Sequence, residues 1–450
     1  MKDGMMLQAP VRKLYMHYLV PTLIAMLSSS MYCLADVFFI SKGTGSVGLA
    51  ALNIAMPLYS LFAAVGVCFG VGAATVMSIA EGNKQFDKRN KAFTLSVVCM
   101  LVIGALASIL GVVFSDQIAM AFGSSKELLP YAREYMVPIL ASSIIFIPMY
   151  SCSVLMRADH APSTAMKATL FGNITNIVLD YVFVIEWDMG LMGAAIATCI
   201  GAALVIVGVL PHFMKKKNTV QFTKNFFDIE LLKRMFRNGF GSGVMEISAA
   251  CIVIVFNMII LYFADELFLA AFAIITNIAY VCRGLLNGFA QAAQPIMSVN
   301  YGARYFSRVK QVLRLSLVCS AIFSVITYGI FFLFAEEFAA IFASGNTRLI
   351  ALGAEGIRLY FLCLVCLSAI TIMMYYFQSI ERGNVATVIA LCKGFLFILL
   401  GFVILIPTVD LAGIWLTTPF AEALALCLGI YLFKKVGSFD EYRDSETSIS

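Results

Sequence analysis

The chain of 450 residues is 61% hydrophobic and only 13% charged, about half the charge of an ordinary soluble domain, which excludes a water-soluble globular protein. Its formal net charge of +5 is small and spread along the chain, so it gives no support for nucleic-acid binding. The sequence has no Gly-rich phosphate loop, no HExxH and no Ser/His/Asp set in an aqueous segment, which argues against an enzyme and against transport driven by ATP hydrolysis.

Twelve hydrophobic runs are long enough to cross a bilayer as helices, at roughly 14–40, 48–80, 92–115, 131–157, 165–187, 191–214, 239–263, 266–300, 308–335, 353–380, 385–407 and 411–433. The first run is too long for a signal-peptide core and lacks a small-residue cleavage pattern, so it is expected to remain as a helix. With the amino terminus inside and the sides alternating, the inner loops hold 25 of the 31 Lys and Arg residues. The outer loops hold Lys42, Lys126, Arg133, Arg348 and Arg358, and Arg283 lies within a span. The positive-inside rule then places both termini of this multi-pass protein in the cytoplasm.

The fifth run carries a polar stripe. Thr169, Asn173, Asn176 and Asp180 recur at helical spacing among Ile, Val, Leu and Phe. A carboxylate at mid-bilayer depth costs roughly 2.5–3.5 kcal/mol on insertion scales, so Asp180 is expected to face a cavity, a partner or an ion.

A shift of 220 residues makes the chain resemble itself. Between Met77 and Cys99 eight of 23 positions match, among them Met77/Met297, Gly82/Gly302, Phe86/Phe306 and Cys99/Cys319, where about two would be expected for so hydrophobic a composition. Leu49-Ala50-Ala51 returns as Leu269-Ala270-Ala271, and Leu191, Gly193 and Thr198 return as Leu411, Gly413 and Thr418. Six spans per copy is an even number, so the copies enter the membrane from the same side. The expectation is an all-α membrane protein of twelve transmembrane helices in two six-helix bundles, related by a pseudo-two-fold axis along the membrane normal. The boundaries are an amino-terminal lobe over 1–214, a basic cytoplasmic linker over 215–238, a carboxy-terminal lobe over 239–435 and a cytoplasmic tail over 436–450. Lys215-Lys216-Lys217 opens the linker, which suits a segment lying against anionic headgroups.

The copies differ where it matters for charge. Asp36 falls opposite Phe256, and Asn176 and Asp180 fall opposite leucines, or opposite Ile398 and Phe402 if the offset slips by two. Asp36, Asp180, Asn176 and Thr198 can supply the hard oxygen ligands of an alkali cation, with Na+ at Asp36, Asn176 and Asp180, and the same carboxylates can take a proton. A packing role for both acids is the alternative. Asn173, Glu246, Arg283 and Glu422 make a second polar set; Arg283 and Glu422 lie at similar depth, which suits an ion pair, and Glu246 or Glu422 could face a substrate or ion. The twelve cysteines show no metal-site spacing in any loop, Cys363 and Cys366 read as small apolar fillers, and His17, His160 and His212 are scattered near span ends. Pro21, Pro57, Pro138, Pro148, Pro295 and Pro419 interrupt spans and could bend them.

In these motifs the chain resembles the multidrug and toxic compound extrusion (MATE) family over nearly its full length. The resemblance is carried by Asp36-Val-Phe-Phe-Ile, Leu49-Ala50-Ala51, Asn176-x-x-x-Asp180, Gly193-Ala-Ala-Ile-Ala-Thr198, Gln294-Pro295-Ile296 and Asn300-Tyr301-Gly302-Ala303, in that order on a duplicated frame. It implies a two-lobed V-shaped fold and an antiporter that exports amphipathic, often cationic compounds in exchange for H+ or Na+ by alternating access. Asp36, Asn176, Asp180 and Thr198 look like the amino-lobe cation site of the DinF-like branch, while the tenth span, with Ser368, Thr371 and Gln378, has no mid-span carboxylate of the kind the NorM-like branch uses. No cofactor is expected beyond the coupling ion, the partners are small amphipathic molecules and membrane lipids, and the working unit is a monomer. A flippase for lipid-linked precursors is the nearer rival; a channel or membrane-embedded enzyme is the more distant one.

Overall fold

The computed structural model describes residues 5–343 and 346–437; most of the tail expected over 436–450 lies outside them. Every described element is helical. Apolar runs of this length have no water to satisfy their amides in a bilayer, and the α-helix satisfies them within the segment. Among the described residues ten helices are long and apolar enough to cross a membrane, or eleven if one bent pair counts as a single span.

The first of these, Val11–Gly82, has 72 residues, and at 1.5 Å per residue it would run about 108 Å if straight, several times the hydrocarbon thickness. It is broken at Gly45, whose φ of 66° and ψ of −153° are non-helical and open essentially to glycine alone. Two expected spans, 14–40 and 48–80, thus form the two arms of one helix that is broken at a glycine. The run at 131–157 departs from expectation in the other direction. It forms Leu129–Ala141 and Ser143–Ala158, bent by 62° at Ser142, which has φ −90° and ψ 9°. Local side chains meet the backbone loosened there: the Ile144 amide donates to Ser108 Oγ at 3.2 Å and Ser143 Oγ donates to Leu140 O at 2.7 Å. The polar-striped fifth run is an α-helix over Pro162–Asp180 and then widens into a π-helical turn, Tyr181–Glu186.

The chain divides into two compact units, one ending at Ile247 and one beginning at Ser248, so the division falls inside the helix Ile229–Phe263. In the first unit Pro162–Asp180 packs closely on Gly190–Met214 because both are notched by glycine. A methyl group at Gly172 would stand 2.6 Å from the Gly201 carbonyl oxygen, and one at Gly201 would stand 2.8 Å from Asn176 Cβ. The segment after Met214 is held to this unit by one buried carboxylate. Asp159 accepts from the Thr219 amide at 2.7 Å, the Val220 amide at 3.1 Å, the Thr219 hydroxyl and His212 Nε2 at 2.6 Å. Arg89 donates to the Thr219 carbonyl and forms an ion pair with Glu81 at 3.6 Å, which also meets His160 Nε2 at 2.6 Å. His160 and His212, read in the sequence as scattered, therefore sit in adjoining buried pairs.

The second unit has an aromatic core. Phe268 stacks on Trp415 with ring centroids 4.2 Å apart, and Phe256 meets Phe272 at 4.8 Å and Phe402 at 4.7 Å. All five rings belong to one buried cluster with Ile275, Leu286, Tyr360 and Phe361.

Candidate ion site and its family

Asp36 lies nine residues before the Gly45 break, on the arm of Val11–Gly82 that precedes it, and is 7% exposed; Asp180 ends the Pro162–Asp180 helix and is fully buried. The Asp36 carboxylate is within electrostatic range of Asp180. One oxygen of each, Asp36 Oδ1 and Asp180 Oδ1, is buried with no hydrogen-bond partner among the described residues. A buried carboxylate oxygen without a donor is costly, and such an oxygen is available to a cation or a proton.

Asn176, one turn before Asp180, connects this acid to the neighbouring helix. In the amide orientation that satisfies both neighbours, its nitrogen donates to Asp180 Oδ2 at 3.2 Å and its oxygen accepts from the Thr198 amide at 3.2 Å. The Thr198 hydroxyl donates back to Ala194 O at 2.9 Å, which leaves its lone pairs for a ligand. Four of the residues singled out in the sequence thus fall into one buried polar group. Asn173 belongs to a separate contact, donating to Ser28 Oγ at 3.1 Å and Ser29 Oγ at 3.2 Å, which clamps the fifth-run helix to the first.

Sequence reasoning missed the tyrosines around the acids. The hydroxyls of Tyr59 and Tyr135 are 2.9 Å apart, and both rings, with Tyr32, lie within electrostatic range of Asp36. Tyrosine in a membrane span reads as an interfacial anchor or core filler, so only proximity in the fold reveals them. Glu246 is partly buried near Tyr150 in the same unit.

In the second unit the pair inferred from depth, Arg283 with Glu422, is replaced by another. Lys393 Nζ is 3.0 Å from Glu422 Oε2, and Arg283 donates to the Tyr360 hydroxyl at 2.9 Å. Depth along a helix does not give the direction a side chain faces, and Lys393 lies in a π-helical turn, Cys392–Leu396, which shifts side-chain directions relative to an α-helix. No group of three or more His, Cys, Asp and Glu that could hold a metal ion occurs among the described residues.

Comparison with known proteins agrees with this frame. The MatE family profile matches residues 21–182 and again 242–403; the chain belongs to the MATE family of multidrug efflux transporters, which are membrane transporters and not enzymes. The second match follows the first by 221 residues at both ends, close to the internal repeat. The multidrug export protein MepA of Staphylococcus aureus is 23% identical over 432 residues, 95% of each chain, and that of Staphylococcus saprophyticus is 22% identical over the same share. Among solved structures, an outward-facing multidrug resistance MATE family transporter of the MOP superfamily superposes with a TM-score of 0.91 at 21% identity, covering 97% of this chain and 98% of that one. That likeness establishes the fold.

Proposed function

We propose that this protein is a secondary active antiporter that exports amphipathic, often cationic compounds in exchange for H+ or Na+ by alternating access. The observation that carries the reading is the pair of buried carboxylates, Asp36 and Asp180, each with an oxygen that no described residue satisfies. Asn176 and Thr198 complete the ion site, supported by the amide bridge between Asp180 and the Thr198 backbone. An ion that binds Asp36 and Asp180 better in one conformer than in the other shifts the population of conformers, and that difference is all coupling requires. The working architecture is twelve crossings, with the 72-residue first helix counted as two, arranged as lobes over 1–214 and 239–435 joined by the basic linker 215–238. The protein acts as a monomer in the plasma membrane with both termini in the cytoplasm, the side to which 25 of 31 basic residues are assigned.

The test is efflux of a fluorescent lipophilic cation from proteoliposomes under an imposed proton or Na+ gradient. Export is expected under one gradient and is expected to fall at least about tenfold in Asp36→Asn and in Asp180→Asn, the shift in conformer population that loss of one ionic ligand allows. Gradient-driven export that persists in both variants overturns the site, and no export under either gradient overturns the antiport reading.

A further inference from the structure

In the second unit Glu422 is the one buried charged side chain among the described residues, and two partly buried cations, Lys393 and Arg283, lie within reach of its charge. Glu422 is 5% exposed and its Oε2 meets Lys393, whose side chain is 13% exposed. That pair is neutral. Arg283, midway along Glu266–Gly302, has as its hydrogen-bond partner the neutral Tyr360 hydroxyl, and no carboxylate among the described residues reaches salt-bridge distance of it, although Glu422 is within electrostatic range. Tyr360 belongs to the apolar core of the unit, together with Cys282, Leu286, Phe361, Cys363 and Ala421. Two cations thus share one carboxylate, which leaves one net positive charge within the membrane spans, where an ionised side chain marks a functional contact.

We propose that Arg283, with the Lys393–Glu422 pair beside it, accepts an anionic group carried by the exported compound, a carboxylate or sulfonate on an amphipathic body. The proposal rests on the export reading and adds to it: zwitterions are handled by placing their anion on Arg283. Guanidinium is suited to this because its planar donors match a carboxylate in a two-bond fork and it stays ionised when desolvated. The Tyr360 hydroxyl orients the guanidinium from one side. Lys393 is held by Glu422 and so adds a shorter-range positive edge without a second uncompensated charge. The amino unit, with two acids and no described cation paired to them, carries the opposite sign.

The experiment uses full-length protein in phosphatidylcholine nanodiscs and two fluorescent probes, a cationic xanthene dye bearing a free carboxylate and its methyl ester. Binding is read by anisotropy. Arg283→Gln is expected to weaken the acid dye about tenfold while changing the ester less than about twofold, and Arg283→Lys is expected to recover part of the loss. Glu422→Gln, which removes the local negative charge, is expected to strengthen the acid dye several-fold. Equal weakening of both dyes by Arg283→Gln, or no change with either, overturns the proposal. Loss of the acid-dye preference on adding phosphatidylglycerol also overturns it, because a lipid headgroup then holds the site. Gradient-driven efflux of the ester dye reports separately on the export reading and does not depend on Arg283 accepting an anion.

Discussion

Asp36 and Asp180 are each expensive to bury and each has an oxygen with no partner among the described residues, so removing the charge is expected to relieve the fold and to abolish the proposed ion coupling. Asp180→Asn is expected to keep or raise the thermal midpoint of the purified protein, with roughly 1–3 kcal/mol of desolvation relieved, and to abolish ion dependence of export. A lowered midpoint together with normal export would mean that the carboxylate serves packing alone. Asn176 acts differently. It bridges Asp180 to the Thr198 backbone, so Asn176→Leu should leave Asp180 Oδ2 without its donor and lower both stability and affinity for the coupling ion; a direct ion-binding titration separates the two effects.

Among the helices, backbone geometry decides more than side-chain chemistry. Gly45 has nothing within 4 Å of where a Cβ would stand, yet its φ is +66°, so Gly45→Ala is expected to cost roughly 1–3 kcal/mol through backbone strain alone, seen as a lowered melting temperature. Gly201 has the reverse problem. Its φ is ordinary, but Asn176 Cβ and the Gly172 carbonyl lie where a side chain would go, and Gly201→Val should push apart the two helices that build the site, at a cost of about 1–3 kcal/mol. The Asp159 clasp gives a third expectation. Because one carboxylate holds Thr219, Val220 and His212, Asp159→Ala should release the segment after Met214, and limited trypsin digestion at Lys215 to Lys217 should accelerate. Unchanged digestion would show that the segment is held by other contacts. Apolar runs located these helices well, since each run is bounded by charge. The bend at Ser142 and the π-helical turn at Tyr181–Glu186 left no mark in hydropathy, because a kink and a change of hydrogen-bond register do not alter how apolar a stretch is.

Over the whole molecule, the duplicated frame carries opposite chemistry in its two copies. Asp36 and Asp180, within electrostatic range of each other, correspond by the repeat to Phe256 and, with a slip of two, Phe402, and those two rings meet at 4.7 Å in the core of the second unit. The same pair of positions thus holds acids in one copy and an aromatic contact in the other. Phe256 is fully buried, so Phe256→Ala is expected to destabilise by roughly 3–5 kcal/mol without changing which ion drives export, the converse of the aspartate variants. An altered ion preference in Phe256→Ala would place coupling in both copies.

Membrane class, the internal repeat and the membership of Asp36, Asn176, Asp180 and Thr198 in a polar set were legible in the chain, because hydropathy, self-similarity and a carboxylate among aliphatic residues are one-dimensional signals. The tyrosines around Asp36, the His160 and His212 pairs and the choice of Lys393 over Arg283 for Glu422 were decided only by the tertiary structure. Each depends on the direction a side chain faces and on which helix lies beside it, and residues more than 50 positions apart, such as Asp159 and His212, meet only when the helices pack.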